Sequence, residues 1–136
     1  MGSINVKSAA TVEQETYDSA ISQGKQRIDN AADEARKRYI TAILGQPETY
    51  SEKWREVVEY RNSGTVGRYL DKESTRRGLT VEALATEIEA RRDQWDNLNS
   101  SIEAERVGGK EEVGSATDAA SATSAADAAV SVIEEI

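Results

Sequence analysis

Leu84, Ile88, Trp95, Leu98 and Ile102 recur at helical spacing and make 80–107 the longest amphipathic pattern in the chain. Thr80 stands where an N-cap belongs, and Leu79 and Leu84 stand where a hydrophobic staple would bracket it. The steps 84, 88, 91, 95, 98 and 102 alternate four and three, broken only by Arg91. The aliphatic stem of that arginine can lie along the seam with its charge outward. A second pattern fills 12–43, where Tyr17, Ile21, Ile28, Ala35 and Ala42 form a coiled-coil-like stripe with Gly24 and Ala31 between them. Small residues permit close helix approach and yield little burial energy per position. This helix therefore needs a partner, and Tyr17, Ile21, Ile28 and Ala35 are candidates for a partner interface.

Gly45-Gln46-Pro47 ends the first helix, because glycine suits a C-terminal stop and proline bars continuation. A second helix is expected over 49–62 from an N-cap at Thr49, with Tyr50, Trp54, Val57 and Val58 on one face. The cluster 62–67 reads as a turn, and 68–77 as a short helix stopping at Gly78. Residues 1–11, with Ile4 and Val6, read as an extended arm. Gly108-Gly109 marks a stop or kink, and from Lys110 the composition shifts to Ala, Ser, Thr and acids. In this tail Ala119, Ala122, Ala126, Val130 and Ile133 keep helical spacing, so a helix from about Thr117 is expected if a surface receives it. Val130 and Ile133 join the partner-interface candidates.

The architecture expected is all-α: a helical domain over 12–109, its long helices forming an antiparallel hairpin or small bundle, and an acidic tail over 110–136. Core candidates are Tyr39, Tyr50, Trp54, Val57, Leu84, Ile88, Trp95, Leu98 and Ile102. The expectation that tests this reading most directly is that the seam of 80–107 meets the helix carrying Trp54.

Composition limits the core. Hydrophobic residues make up 38%, but many are alanine, phenylalanine is absent and aromatics are only 5%, so packing against copies or partners would add stability. Twenty-five acids against seventeen bases give −8, of which the tail carries −5, and this argues against nucleic acid as a partner. Without cysteine or histidine the commonest nucleophiles, bases and metal ligands are missing. Carboxylate pairs such as Glu56/Glu59, Glu103/Glu105 and Glu111/Glu112 read as solvated helix faces, so no enzyme, metal or cofactor is expected. The basic cluster Arg68, Lys72, Arg76 and Arg77, beside Tyr69, is balanced by Asp71 and Glu73 to +2 and reads as an exposed helix face. No stretch approaches the ~18 apolar residues of a membrane span, and membrane insertion is not expected.

Ala35-Arg36-Lys37-Arg38-Tyr39-Ile40-Thr41, then Gly45-Gln46, Thr49-Tyr50 and Lys53, resembles a segment of bacteriophage tail-fibre and tail-associated proteins. The similarity continues through Tyr69-Leu70, Gly78-Leu79-Thr80, Ala85, Ile88, Trp95, Leu98, Ile102-Glu103-Ala104, Arg106 and Gly109-Lys110, covering about 30–113. The chain departs from that family at Val57-Val58-Glu59-Tyr60, where alanines usually stand, and lacks a proline often found after the position of Tyr69. The resemblance implies a structural component of the virion, in the tail or its fibres, synthesised in the host cytoplasm. It would be multi-copy or homo-oligomeric, working through helix-mediated assembly with other tail proteins. The alternative is a transient assembly chaperone or adaptor that is not retained in the particle.

Overall fold

A computed structural model describes residues 6–136 and contains, among them, five helices and no strand. They are α1 (Ala9–Leu44), α2 (Pro47–Ser63), α3 (Arg68–Arg77), α4 (Val81–Ser115) and α5 (Ala119–Glu134). The chain divides into two compact units, one of residues 1–35 with 101–136 and the other of residues 36–100. The protein is all-α, its long helices packed into small bundles.

Each junction has a local cause. Ser8 accepts the Thr11 N–H at 3.2 Å and caps α1, so the helix begins at Ala9 and the expected arm over 1–11 is too long. Ile4, also assigned to that arm, lies outside the described residues. Gly45 ends α1 at φ +79°, its N–H on the Thr41 carbonyl at 2.9 Å. Pro47 then opens α2 two residues before the expected Thr49, since proline at N1 gives up only an N–H that the first turn cannot use. Gly78 closes α3, at its expected end, with paired bonds: its own N–H to Thr75 and that of Leu79 to Ser74. Thr80 caps α4 through the Ala83 N–H at 3.0 Å.

The first unit packs the early part of α1, the late part of α4 and α5. Here the expected stop at Gly108-Gly109 fails, because α4 continues six residues past it to Ser115. Each helical glycine costs about 1 kcal/mol relative to alanine, and at Gly109 a tertiary contact outweighs that cost. A methyl group placed there would lie 2.6 Å from Ala129 Cβ and 3.3 Å from Ile28 Cδ1. Gly24 of α1 is tight but less crowded, with Val113 and Ala126 at 3.1 and 3.2 Å from an added methyl. α1 and α4 run antiparallel, since Tyr17 donates to the Ala116 carbonyl at 2.7 Å while Asp29 meets Lys110 and Arg106 at 2.9 and 3.1 Å.

α5 completes this unit. Asp118 caps it through the Ser121 N–H at 2.7 Å, and Ala122, Ala126, Ala129 and Ile133 are buried. The surface that the tail needed is therefore supplied by its own chain. This corrects the reading of the partner-interface candidates: Ile28, Ala35 and Ile133 are fully buried within the chain and cannot meet another molecule. Tyr17, Ile21 and Val130 are half-buried, and Ala42 is exposed. The α1 stripe loses its outer member because a strict seven-residue spacing drifts around a straight helix by roughly 20° per heptad.

The second unit packs α2, α3 and the early part of α4. Its cluster joins Tyr50, Val57, Leu70, Leu84, Ala85 and Ile88, with Trp54, Tyr60, Val81 and Leu44 against it. The seam of α4 thus meets the helix carrying Trp54, as the sequence requires. Arg91 lies outside that seam, exposed and paired with Glu87, while Arg92 stands 5.0 Å over the Trp54 ring. Trp95 is buried in the same unit, and Tyr39 and Leu98 are half-buried. Ile102, also buried, belongs to the first unit.

The glycine contacts give the first prediction. Gly109→Ala improves helix propensity yet forces two helices apart, so it should destabilise by about 1–3 kcal/mol. Gly24→Ala, whose neighbours need give only a few tenths of an ångström, should cost less. Denaturant melts of both variants check the order; a more stable Gly109→Ala would contradict the close packing.

Candidate functional site

The buried carboxylate is the first place to look for chemistry. Glu56, only 4% exposed, accepts the Tyr69 N–H at 2.9 and 3.1 Å and the Leu70 N–H at 3.3 Å. These are N–H groups of the first turn of α3, whose N-cap, Gly67, has no side chain to accept them. Glu56 is a cap donated by another helix, and its charge also faces the positive end of the α3 dipole. Gly67 leaves it the room, since a methyl there would fall 1.9 Å from Glu56 Oε1. The expected pairing of Glu56 with Glu59 as two solvated acids fails, because Glu59 is exposed and Glu56 is consumed by the backbone. The signal for this was an acid preceding Val57 on an apolar face, facing a helix start with no cap of its own.

Other acids of this unit are held by cations. Arg61 bridges Glu82 and Glu89, at 2.7 and 2.5 Å, and its guanidinium is held above its ordinary value chiefly by Glu82 and then Glu89. Arg77 bridges Glu87 and Glu73 at 2.7 and 3.0 Å. Arg77 depresses the Glu87 carboxyl against the opposing effect of burial. Burial pushes Glu73 up, but Lys53 and Arg77 together outweigh it and keep it below the usual carboxylate value. In the first unit Lys110 dominates Asp29 in the same direction, with Arg106 adding to it. Strong pairing of this kind stabilises the charged state, which is the opposite of what a general acid needs. Among the described residues no group of acids is disposed to hold a metal.

One exposed face of α3 carries cations that lie outside these pairs. The helix buries Leu70 and Ser74. At 100° per residue, Arg68, Lys72 and Arg76 project from the opposite side, one turn apart. All three are exposed, and among the described residues none enters an ion pair. Tyr69, 40% exposed, flanks them. The cluster that the sequence presents as four cations is thus divided: Arg77 is spent inside the unit, and three remain on the surface. Two open grooves share Arg68 and Tyr69 in their walls, one of about 580 Å³ that also carries Glu52, Glu56 and Glu59, and one of about 420 Å³ beside Thr49 and Lys53.

Charge is divided between the units in the same sense. Residues 1–35 and 101–136 hold fourteen acids and five bases, net −9, whereas 36–100 hold eleven acids and twelve bases, net +1. No described helix is long and apolar enough to cross a membrane. Comparison with protein-family models, curated proteins and solved structures finds no match.

Two predictions follow the carboxylates. Glu56→Ala removes the cap and leaves two N–H groups of α3 unsatisfied, which should cost about 1–3 kcal/mol. Glu56→Gln keeps an acceptor and should cost less, and the difference is read by thermal melts with amide exchange at Tyr69 and Leu70. The second concerns acid. Asp29, Glu73 and Glu87 have folded values below their ordinary 3.8 and 4.5. Their stabilisation is therefore complete above the unfolded values and lost as pH falls through the folded ones. The melting temperature should hold between about pH 7 and 5 and fall below about pH 4. A Glu73→Gln/Glu87→Gln variant should show a shallower fall.

Proposed function

We propose that this chain is a structural, non-catalytic component of a bacteriophage virion, in the tail or its fibres, assembled through helix surfaces with other copies or tail proteins. The observation that carries this reading is the ordered set of residues from Ala35 to Lys110 that resembles tail-fibre and tail-associated proteins. The disposition of the acids supports the non-catalytic part: Glu56 caps a helix, and Asp29, Glu73, Glu82 and Glu87 are held charged by cations. No cofactor enters this reading.

The packing bears on how such a part would assemble. The alanine-rich face of α5 and the Gly24, Ile28 and Ala35 positions of the α1 stripe are covered inside the chain, so contacts with neighbours would use other surfaces. A chain that covers its own alanine face depends less on a permanent partner for its folding. That favours, as a second reading, an assembly chaperone or adaptor that leaves the finished particle.

Mass spectrometry of purified virions separates these possibilities. Recovery in fixed ratio to known tail proteins is expected for the structural role, with the chain located on the tail by labelling. Recovery on fibre protein in infected-cell lysate, with none in particles, would favour the adaptor. Absence from both would overturn the reading.

A further inference from the structure

α4 also carries a glycine that packing does not explain. Gly109 is crowded by Ala129 and Ile28, but a side chain at Gly108 would meet nothing within 4 Å. A glycine in mid-helix costs about 1 kcal/mol relative to alanine, and at Gly108 no contact among the described residues uses the space it leaves. It forms a bare notch on the helix surface. Glu105 and Glu112 lie on the same side of α4, three residues before and four after, with Glu111 on the outward face beyond them. Among the described residues none of these three acids enters an ion pair. They belong to the unit whose net charge is −9.

We propose that α3 of one copy docks on the Gly108 surface of α4 in a second copy. Arg68, Lys72 and Arg76 face Glu105, Glu111 and Glu112, and the exposed Tyr69 ring lies over the glycine notch. The spans agree: Arg68 to Arg76 covers about 12 Å along its helix and Glu105 to Glu112 about 10.5 Å. The three cations of α3 and the three acids of α4 enter no ion pair among the described residues, so each surface supplies the charge that the other lacks. A nucleic acid fits less well, because three cations would neutralise few phosphates while the chain as a whole repels them. Since the two surfaces differ, the contact is heterologous and runs on from copy to copy until it closes as a ring or extends as a filament. This deepens the assembly part of the proposed function and is independent of whether the chain is found in virions.

Sedimentation of the purified full chain tests it. Mass should rise with concentration at low ionic strength and return to monomer at high salt, because salt shortens the Debye length, to about 3 Å at 1 M, and so screens exposed pairs. Arg68→Glu/Lys72→Glu/Arg76→Glu should weaken association roughly tenfold or more, with helicity by circular dichroism unchanged. Glu105→Lys/Glu111→Lys/Glu112→Lys should do the same, and mixing the two reversed proteins should restore association. Gly108→Ala should raise the melting temperature, whereas Gly108→Leu should block association while the protein stays folded. A monomer at every concentration and salt would overturn the proposal. So would association indifferent to the α3 reversal, reversed proteins that fail to combine, or an oligonucleotide held through α3 in the absence of self-association.

Discussion

The close contact between bare or nearly bare backbones is the constraint on which the first unit depends. Gly109 faces Ala129, and Gly24 faces Val113 and Ala126. Alanine buries little area, so a helix such as α5 gains stability only if its neighbours come near enough for many weak dispersion contacts to accumulate. Glycine on the facing helix is what allows that approach, and the propensity cost is offset by the packing it permits. Larger side chains, Ile28, Ile102, Val113 and Ile133, close the unit where the helices diverge enough to admit them.

The second unit solves the same problem differently. It has the tryptophans, most of the tyrosines and a cluster built from Tyr50, Val57, Leu70, Leu84, Ala85 and Ile88. Here large side chains provide the burial, and polar groups set the positions of the helices. Glu56 fixes the start of α3 on α2, while Arg61 and Arg77 tie α2 and α3 to α4. Exposed pairs contribute little to stability individually, and their larger effect is to fix which helix faces meet. Because they absorb Arg77 and leave Arg68, Lys72 and Arg76, they also define the outward surface of α3. A composition poor in large apolar residues thus sustains two packing regimes, one of small residues in close contact and one of aromatics held by ion pairs.

Most helices are legible in the sequence because their signals are local. Gly45, Pro47, Gly64, Gly78 and Thr80 punctuate the chain by backbone chemistry that needs no tertiary context. The face of α4 from Leu84 to Trp95 follows from periodicity alone, and so does its need to meet the Trp54 helix. The start of α1 is also written locally, in Ser8, although the β-branched residues before it favour extended backbone.

The sequence by itself determined the helical class, most boundaries and the absence of histidine and cysteine chemistry. Tertiary structure decided the rest. Whether Gly109 ends a helix or packs inside one depends on Ala129, twenty residues away, and whether Glu56 is solvent-facing or a cap depends on where α3 begins. The stripe from Tyr17 to Ala35 had to be covered, yet its pattern could not say by what, since another molecule and the chain's own tail present the same small apolar face. Propensity and periodicity are properties of neighbours along the chain, whereas occupancy of a surface is settled by residues distant in sequence.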